Sequence, residues 1–216
     1  NKNADYRITA NVKVEGNPDF VPEHLSSYDL GYSGEYLDKH LHADLSLFYM
    51  EISHVEQQYT KSVVGPLVTT SYNNTNHAIA RGAEASLRYR FDQKKSVYAN
   101  YTYERITDIL AKVGVTDSTP RHKLNLGGWA MLQNGISLSS NIGYKVAHTA
   151  YASSANRQQA IPAYWRIDAR LAYRLCKNAE IFAAGQNLAQ ERHIEFPDAM
   201  AVPRTYQAGI SVSFGN

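Results

Sequence analysis

Length, composition and charge exclude several classes of protein before any motif is considered. The chain has 216 residues with 22 Lys and Arg against 20 Asp and Glu, and a formal charge of +2 without a basic run gives no indication of a nucleic-acid partner. No stretch approaches the roughly 20 apolar residues of a membrane helix, and the single cysteine, Cys176, excludes an internal disulfide and a cysteine-based metal site.

Alternation of apolar and polar residues predicts strands along almost the whole chain, since successive side chains of a strand point to opposite faces. In 164–175, for example, Trp165, Ile167 and Leu171 share one register, and Arg166 and Asp168 share the other. In chain order the predicted strands span 27–37, 40–52, 78–91, 96–106, 122–132, 135–146, 164–175, 178–188 and 204–216.

The length of these strands favours a membrane protein. Most have about 10 to 14 residues, roughly twice the usual length in globular proteins, and a tilted membrane strand needs about 9–11. Sixteen tyrosines against 6 Phe and 2 Trp fit strands that end at a water–lipid boundary, because the ring is apolar and the hydroxyl prefers water. The composition alone is equally compatible with a soluble, Tyr-rich β-sandwich.

The connections favour a transmembrane barrel. Short links at 38–39, 92–95, 133–134 and 176–177 alternate with long ones at 53–77, 107–121, 147–163 and 189–203. Outer-membrane barrels have short periplasmic turns and long extracellular loops, so the last strand is expected to end at the periplasm. Nine strands cannot complete a bacterial barrel, which has an even number. Either 6–14 supplies a tenth strand or the chain is part of a longer protein, and an open edge in lipid would be costly.

Five motifs stand in one order along these strands. They are NPDFVPEHLSSYDLGY at 17–32, HAIARGAEASLRYRF at 77–91, TPRHKLNLGG at 119–128, QNL at 186–188 and PRTYQAGISVSF at 203–214. Each is weak alone, but the ordered set resembles the TonB-dependent outer-membrane receptors. The resemblance covers residues 17–214.

The resemblance implies an all-β, antiparallel transmembrane barrel of about 22 strands with an N-terminal plug inside it. Residues 1–216 would then be its last nine or ten strands, without the plug, the earlier strands and the coupling box. The implied function is energy-coupled uptake of a scarce nutrient across the outer membrane. That nutrient is most often a ferric siderophore, and sometimes haem or cobalamin.

The implied partners are outer-membrane lipid, an iron chelate or similar small ligand, and TonB through the missing N-terminal region. No cofactor is expected. The alternatives are a small outer-membrane barrel enzyme, a porin, and the soluble sandwich. No nucleophile–base set, P-loop or paired acid supports catalysis.

The last strand carries the predicted site residues Tyr206, Ile210, Val212 and Phe214. Their shared register predicts a lipid-facing surface, and in the family a terminal aromatic helps the assembly machinery to recognise the strand. Here two residues follow Phe214, where the family normally ends on the aromatic.

Other polar and aromatic residues are weaker candidates. Arg166, Arg170 and Arg174 form a row that could contact a plug or attract an anionic chelate, but pairing with Asp168, Glu104 or another strand carboxylate is the preferred interpretation. The histidines show no metal-binding spacing, and no ligand contact is assigned to the loop aromatics. These two sets are His54, His77, His148 and His193, and Tyr72, Tyr151 and Phe196.

Overall fold

The computed structural model describes residues 4–108, 116–152 and 157–214. Apart from one short 3₁₀ helix, Gln133–Gly135, its regular elements are all strands. No helix in these ranges is long and apolar enough to cross a bilayer. The strands are β1 Tyr6–Thr9, β2 Val12–Glu15, β3 His24–Tyr36, β4 Leu41–Val64, β5 Leu67–Asp92, β6 Lys95–Asp108, β7 His122–Met131, β8 Ile136–Lys145, β9 His148–Ala152, β10 Arg157–Ile161, β11 Tyr164–Cys176, β12 Ala179–Gln186, β13 Arg192–His193, β14 Val202–Pro203 and β15 Thr205–Val212.

All nine predicted strands are present, as β3 to β8, β11, β12 and β15. The long connection predicted at 53–77 is wrong, because β4 continues to Val64 and β5 begins at Leu67. The two residues between them form a tight turn in which Gly65 has a φ of 57°. The segment is rich in Val, Thr and Tyr, which favour strands, but its alternation is weak, so the period-2 signal missed it.

The segment 6–14, which was one of two alternatives as a tenth strand, does not form a single strand but folds into the hairpin β1–β2. The connections at 147–163 and 189–203 hold short strand pairs, β9 with β10 and β13 with β14. Residues 109–115 of the predicted connection at 107–121 lie outside the described ranges.

The main sheet has the order β1-β2-β5-β6-β7-β8-β11-β12-β15, with β4 also pairing with β5, and β3 with β4. The pairs from β6 to β15 are antiparallel neighbours. The pairing of β2 with β5 departs from the expected antiparallel pattern, since it is parallel from Val12 and Val68 to Glu15 and Ser71.

The chain divides into two compact units, and one of them comprises the described residues within 1–28, 48–81 and 106–116. In this unit, side-chain hydrogen bonds join β2 and the residues that follow it to β5, in addition to the backbone hydrogen bonds between the two strands. The Ser71 hydroxyl donates to the carbonyl of Glu15 (2.8 Å), and the amide of Asn17 donates to the carbonyl of Tyr72 (3.0 Å). Val14 of β2, which is paired with Thr70 of β5, is completely buried. The NPDF segment therefore packs on β5.

The second unit comprises the described residues within 29–47, 82–105 and 117–216, and its sheet has two chemically different faces. The register that carries the large apolar side chains, called the apolar face below, is exposed: Leu171 is 52% exposed, Val212 50% and Leu45 46%. The other register, the polar face, carries the charged residues.

Few apolar side chains are buried anywhere in the described ranges. Those that are buried are Val14, Ala78, Ala150, Ile161, Tyr164 and Ala172. A soluble sandwich would bury its large apolar residues between two sheets. Exposure of the apolar face is instead what a sheet that borders hydrocarbon requires, which favours the membrane interpretation.

Candidate functional site: a charged cleft on the polar face

A cleft of about 380 Å³ opens on the polar face of the second unit, where β7 and β11 begin and β8 ends. These strand ends adjoin the connections at 107–121 and 147–163. Three cross-strand rows, in the order β6, β7, β8 and β11, bring its residues together. The rows are Thr102, Lys123, Lys145 and Tyr164; Asn100, Asn125, Gly143 and Arg166; and Tyr98, Gly127, Asn141 and Asp168.

The charged side chains that line the cleft are Lys123, Lys145, Arg166, Asp168 and Glu195. Nε of Arg166 lies 3.0 Å from Oδ2 of Asp168, and its Nη1 lies 3.6 Å from Oε1 of Glu195. The two lining carboxylates thus both neutralise Arg166. The two lysines lie side by side in one cross-strand row, which raises the local positive potential.

The two lysines have different partners. Nζ of Lys123 lies 2.8 Å from Oε2 of Glu104, which also accepts a hydrogen bond from the hydroxyl of Thr119 (3.2 Å). Nζ of Lys145 lies 5.6 Å from the ring centre of Tyr164, a cation–π contact, and in the described ranges it has no carboxylate partner. Lys145 is therefore the lining cation best able to attract an anion.

A histidine close in sequence to Lys145 has a lowered pKa, chiefly because it is partly buried. Burial lowers the pKa of His148, and the charges of Lys145 and Lys123 lower it further, although a hydrogen bond to the backbone of Val146 opposes them. The imidazole is therefore neutral at pH 7 and leaves the positive potential of the cleft to the lysines.

Asp168 ties the cleft to the connection after β12. Its Oδ1 accepts a hydrogen bond from the backbone N–H of Asn187 (2.9 Å), a fully buried residue with a φ of 55°. The side-chain amide of Asn187 donates to the carbonyl of Val202 (3.0 Å), and the N–H of Leu188 donates to the carbonyl of Ile167 (2.8 Å). The QNL motif thus bonds the start of the connection to β11 and, through Asn187, joins this start to the end of the connection at Val202.

The same connection is also held through an aromatic stack. The His193 side chain is only 4% exposed, its ring stacks on Tyr164 with 4.2 Å between centres, and its Nε2 lies 2.8 Å from Oε1 of Glu195. Because Glu195 also pairs with Arg166, the connection supplies one wall of the cleft. No local pattern in the sequence indicates this contact, which joins residues about 30 positions apart.

Tyr98 lies against Gly127 and bonds to Asn141, which is one of the residues that line the cleft. Its hydroxyl donates to Oδ1 of Asn141 (2.9 Å), and a Cβ at position 127 would lie 2.4 Å from that hydroxyl oxygen. The glycine in LGGW is therefore required by the aromatic ring of the neighbouring strand.

The arginine row behaves partly as predicted. Arg166 pairs with Asp168, as expected, and Arg170 pairs with Glu180 on the neighbouring strand while lying over the ring of Phe182 (4.7 Å). Glu104 pairs with a lysine and not with an arginine, which corrects that part of the prediction. Arg174 has no ion pair within the described ranges.

The predicted residues of the last strand are all exposed. Tyr206, Ile210 and Val212 lie on the apolar face of β15, and Phe214 follows the strand and is 95% exposed. Their exposure is compatible with lipid contact, and their role in assembly stays a prediction.

The loop candidates do not converge. No group of three or more His, Cys, Asp or Glu able to hold a metal ion occurs in the described ranges. Tyr72 lies within β5, with its hydroxyl 3.1 Å from that of Tyr6, and Phe196 is exposed after β13. Tyr151 belongs to β9, but its side chain is not among those described.

A family model described as "TonB dependent receptor-like, beta-barrel" matches residues 3–188. Among curated proteins, the chain is 25% identical over 189 residues to a probable TonB-dependent siderophore receptor, PiuA, of Acinetobacter baumannii. The match covers 80% of this chain and 24% of the relative, so the chain spans about a quarter of that protein's length.

Several solved structures share the fold. The siderophore receptor PirA of A. baumannii superposes with a TM-score of 0.74 at 16% identity, over 94% of this chain and 33% of PirA. The pyoverdine outer-membrane receptor FpvA of Pseudomonas aeruginosa PAO1, bound to pyoverdine, gives 0.73 at 20% identity, over 90% and 30%. The matched family and these relatives are transport receptors, which supports the prediction of a protein that is not an enzyme.

Proposed function

Since the chain belongs to the family of TonB-dependent receptor-like β-barrels and is an outer-membrane protein, we propose that it is the C-terminal part of the barrel of a receptor for energy-coupled nutrient uptake. Residues 1–216 would supply the last nine strands of a barrel of about 22. The nutrient is a ferric siderophore, as the names of the relatives suggest. The energy-coupling partner is TonB, contacted through a region outside this chain.

The observation that carries the proposal is the chemical difference between the two faces of the sheet. The exposed apolar face supplies the surface that lipid covers, and burying it in hydrocarbon is favourable by about 25 cal/mol per Å². The polar face, with its ion pairs and its cleft, borders an aqueous interior through which a hydrophilic ligand passes.

The position of the cleft fits recognition of an anionic ligand. It lies at the strand ends that adjoin the longer connections, the ends predicted to be extracellular. There the ammonium of Lys145 has no carboxylate partner in the described ranges, and its neighbour Lys123 adds positive potential. Cations in a cleft raise the local concentration of anions, so an anionic ferric chelate would be drawn to this end of the barrel.

Uptake of radioactive iron tests this proposal. Cells that lack the full gene are compared with complemented cells, under iron limitation, with a panel of single ferric siderophores. We expect uptake of one chelate to be lost and then restored by complementation. Lys145→Gln should reduce that uptake severalfold at low salt, because steering by charge is screened by ions. Lys177→Gln, the same substitution in the turn between β11 and β12, is the matched control.

Unchanged uptake of every chelate in the gene-deleted cells would contradict the siderophore proposal and leave the fold untouched. Equal losses for Lys145→Gln and Lys177→Gln would contradict the role of the cleft alone.

A further inference from the structure

The apolar face of the second unit contains a groove of about 780 Å³ across β5, β6, β7 and β8. Small residues line its middle, and large side chains stand around them. The small ones are Ala99, Gly128, Ala130 and Ser140, and the large ones include Leu87, Val97, Leu126, Leu138 and Ile142.

The groove arises from strand register. Gly128 lies between Val97 on β6 and Ser140 on β8, so the positions of β7 and β8 in this cross-strand row of the apolar face carry little or no side chain. The neighbouring row, in which Leu126 faces Ile142, carries large ones. A Cβ at position 128 would lie only 2.8 Å from the carbonyl oxygen of Ser96, so the backbone itself keeps this row low. The floor of the groove at Gly128 is thus backbone, and the large side chains around it form the walls.

A lysine stands at one end of the groove. Lys95 lies in the same register as Val97, opposite Ala130, and it is exposed at the turn between β5 and β6. No carboxylate pairs with Lys95 in the described ranges. Lysine is rare on an apolar face because its ammonium must reach the membrane–water interface, where it attracts anionic lipid head groups.

The end of the groove also has the aromatic border of an interfacial site. Tyr89 and Phe91 line it, with ring centres 4.9 Å apart in an edge-to-face arrangement. Aromatic rings are enriched at the depth of the head groups. A groove that ends at aromatic rings and at an ammonium with no carboxylate partner among the described residues matches the order of groups in a glycerophospholipid, from acyl chain to phosphate.

We propose that this groove is a binding site for one anionic glycerophospholipid, with an acyl chain along Gly128 and Ser140 and the phosphate at Lys95. The site goes beyond nutrient transport and depends only on the outer-membrane location. One bound acyl chain fills the groove, which exchanging bulk lipid would otherwise have to fill. The ammonium of Lys95 selects an anionic head group by its charge.

Native mass spectrometry of the intact receptor that contains this chain tests the proposal. The protein, in detergent, is titrated with palmitoyl-oleoyl phosphatidylglycerol or, separately, with the zwitterionic phosphatidylcholine of the same chains. We expect one retained phosphatidylglycerol, and Lys95→Gln should weaken its binding about fivefold with little change for phosphatidylcholine. Lys95→Arg should retain the preference for phosphatidylglycerol.

Two matched controls separate the site from general effects. Lys94→Gln makes the same charge change one residue away, outside the groove lining, and should leave binding unchanged. Ala130→Leu fills the groove and should weaken binding of both lipids, whereas Ala208→Leu adds the same side chain on the apolar face of β15 and should not. Binding of phosphatidylglycerol by Lys95→Gln at the wild-type level, or equal losses for a groove variant and its control, would overturn the proposal.

Discussion

Replacing Asp168 by alanine tests whether this carboxylate holds the connection after β12 onto β11. The substitution removes the acceptor of the Asn187 backbone N–H and one of the two carboxylates beside Arg166. Because Asn187 is fully buried, its N–H has no access to water while the connection stays in place. We therefore expect the connection to open more often and not merely to rearrange.

The expected cost follows from the two lost interactions. A buried N–H bonded to a charged acceptor contributes about 1.5–3 kcal/mol. The pair with Arg166 is partly exposed and Glu195 stays close, so its loss adds at most about 1 kcal/mol. The local opening free energy should fall by about 2–4 kcal/mol. Asp168→Asn keeps an acceptor for the N–H and should cost about half as much or less.

Hydrogen exchange of the intact receptor, read by mass spectrometry on the peptide that contains Asn187, measures this opening. A loss of 2 kcal/mol corresponds to about 30-fold faster exchange. Glu180→Ala is the matched control, since it removes the carboxylate partner of Arg170 on the same face but frees no buried N–H. If Asp168→Ala changed the exchange of Asn187 no more than Glu180→Ala does, the argument for this hydrogen bond would be wrong.

Two further predictions follow from single contacts. Gly127→Val should destabilise the sheet by about 1–3 kcal/mol in urea unfolding, because the new Cβ would displace the ring of Tyr98. Gly143→Val is the control, since a Cβ there meets only ordinary van der Waals distances, and equal losses would contradict this account. The guanidinium of Arg121 lowers the pKa of the Asp117 carboxyl below its usual 3.8. The ion pair between Asp117 and Arg121 should therefore stabilise the fold above pH 3.8, and this stabilisation should be lost as the pH falls through the lowered pKa of Asp117. A carbon-13 titration of the carboxyl should show Arg121→Gln returning the pKa towards 3.8, and an unchanged pKa would refute the pairing.

Local patterns were sufficient to predict the strands that have two chemically distinct faces. In β11, the alternation of Ile167 and Leu171 with Arg166 and Asp168 follows from the period of the strand alone. The same patterns failed where the chemistry of the two faces does not differ. The segments 53–64 of β4 and 67–77 of β5 mix Val and Tyr with polar residues and alternate only weakly, so they left no clear period-2 signal.

The sequence identified several residues of the cleft and the groove as members of particular strands, but it could not predict which residues of other strands they contact. Asp168 was identified as a charge partner of Arg166, whereas its bond to the N–H of Asn187 depends on how the chain returns after β12. Likewise, LGGW shows two glycines, but only the register shows that Tyr98 covers one of them and that Ser140 lies beside the other.

The sequence by itself therefore determined which side is apolar in the strands with two distinct faces, where four of the short turns lie and which family the motifs resemble, because each of these is encoded in residues adjacent along the chain. Only the tertiary structure decided which residues of different strands stand side by side. A shift of one residue in any pairing would exchange the two faces of a strand. The cleft at Lys145 and the groove at Lys95 exist because the registers of the paired strands place small and charged residues that are distant in sequence in common rows.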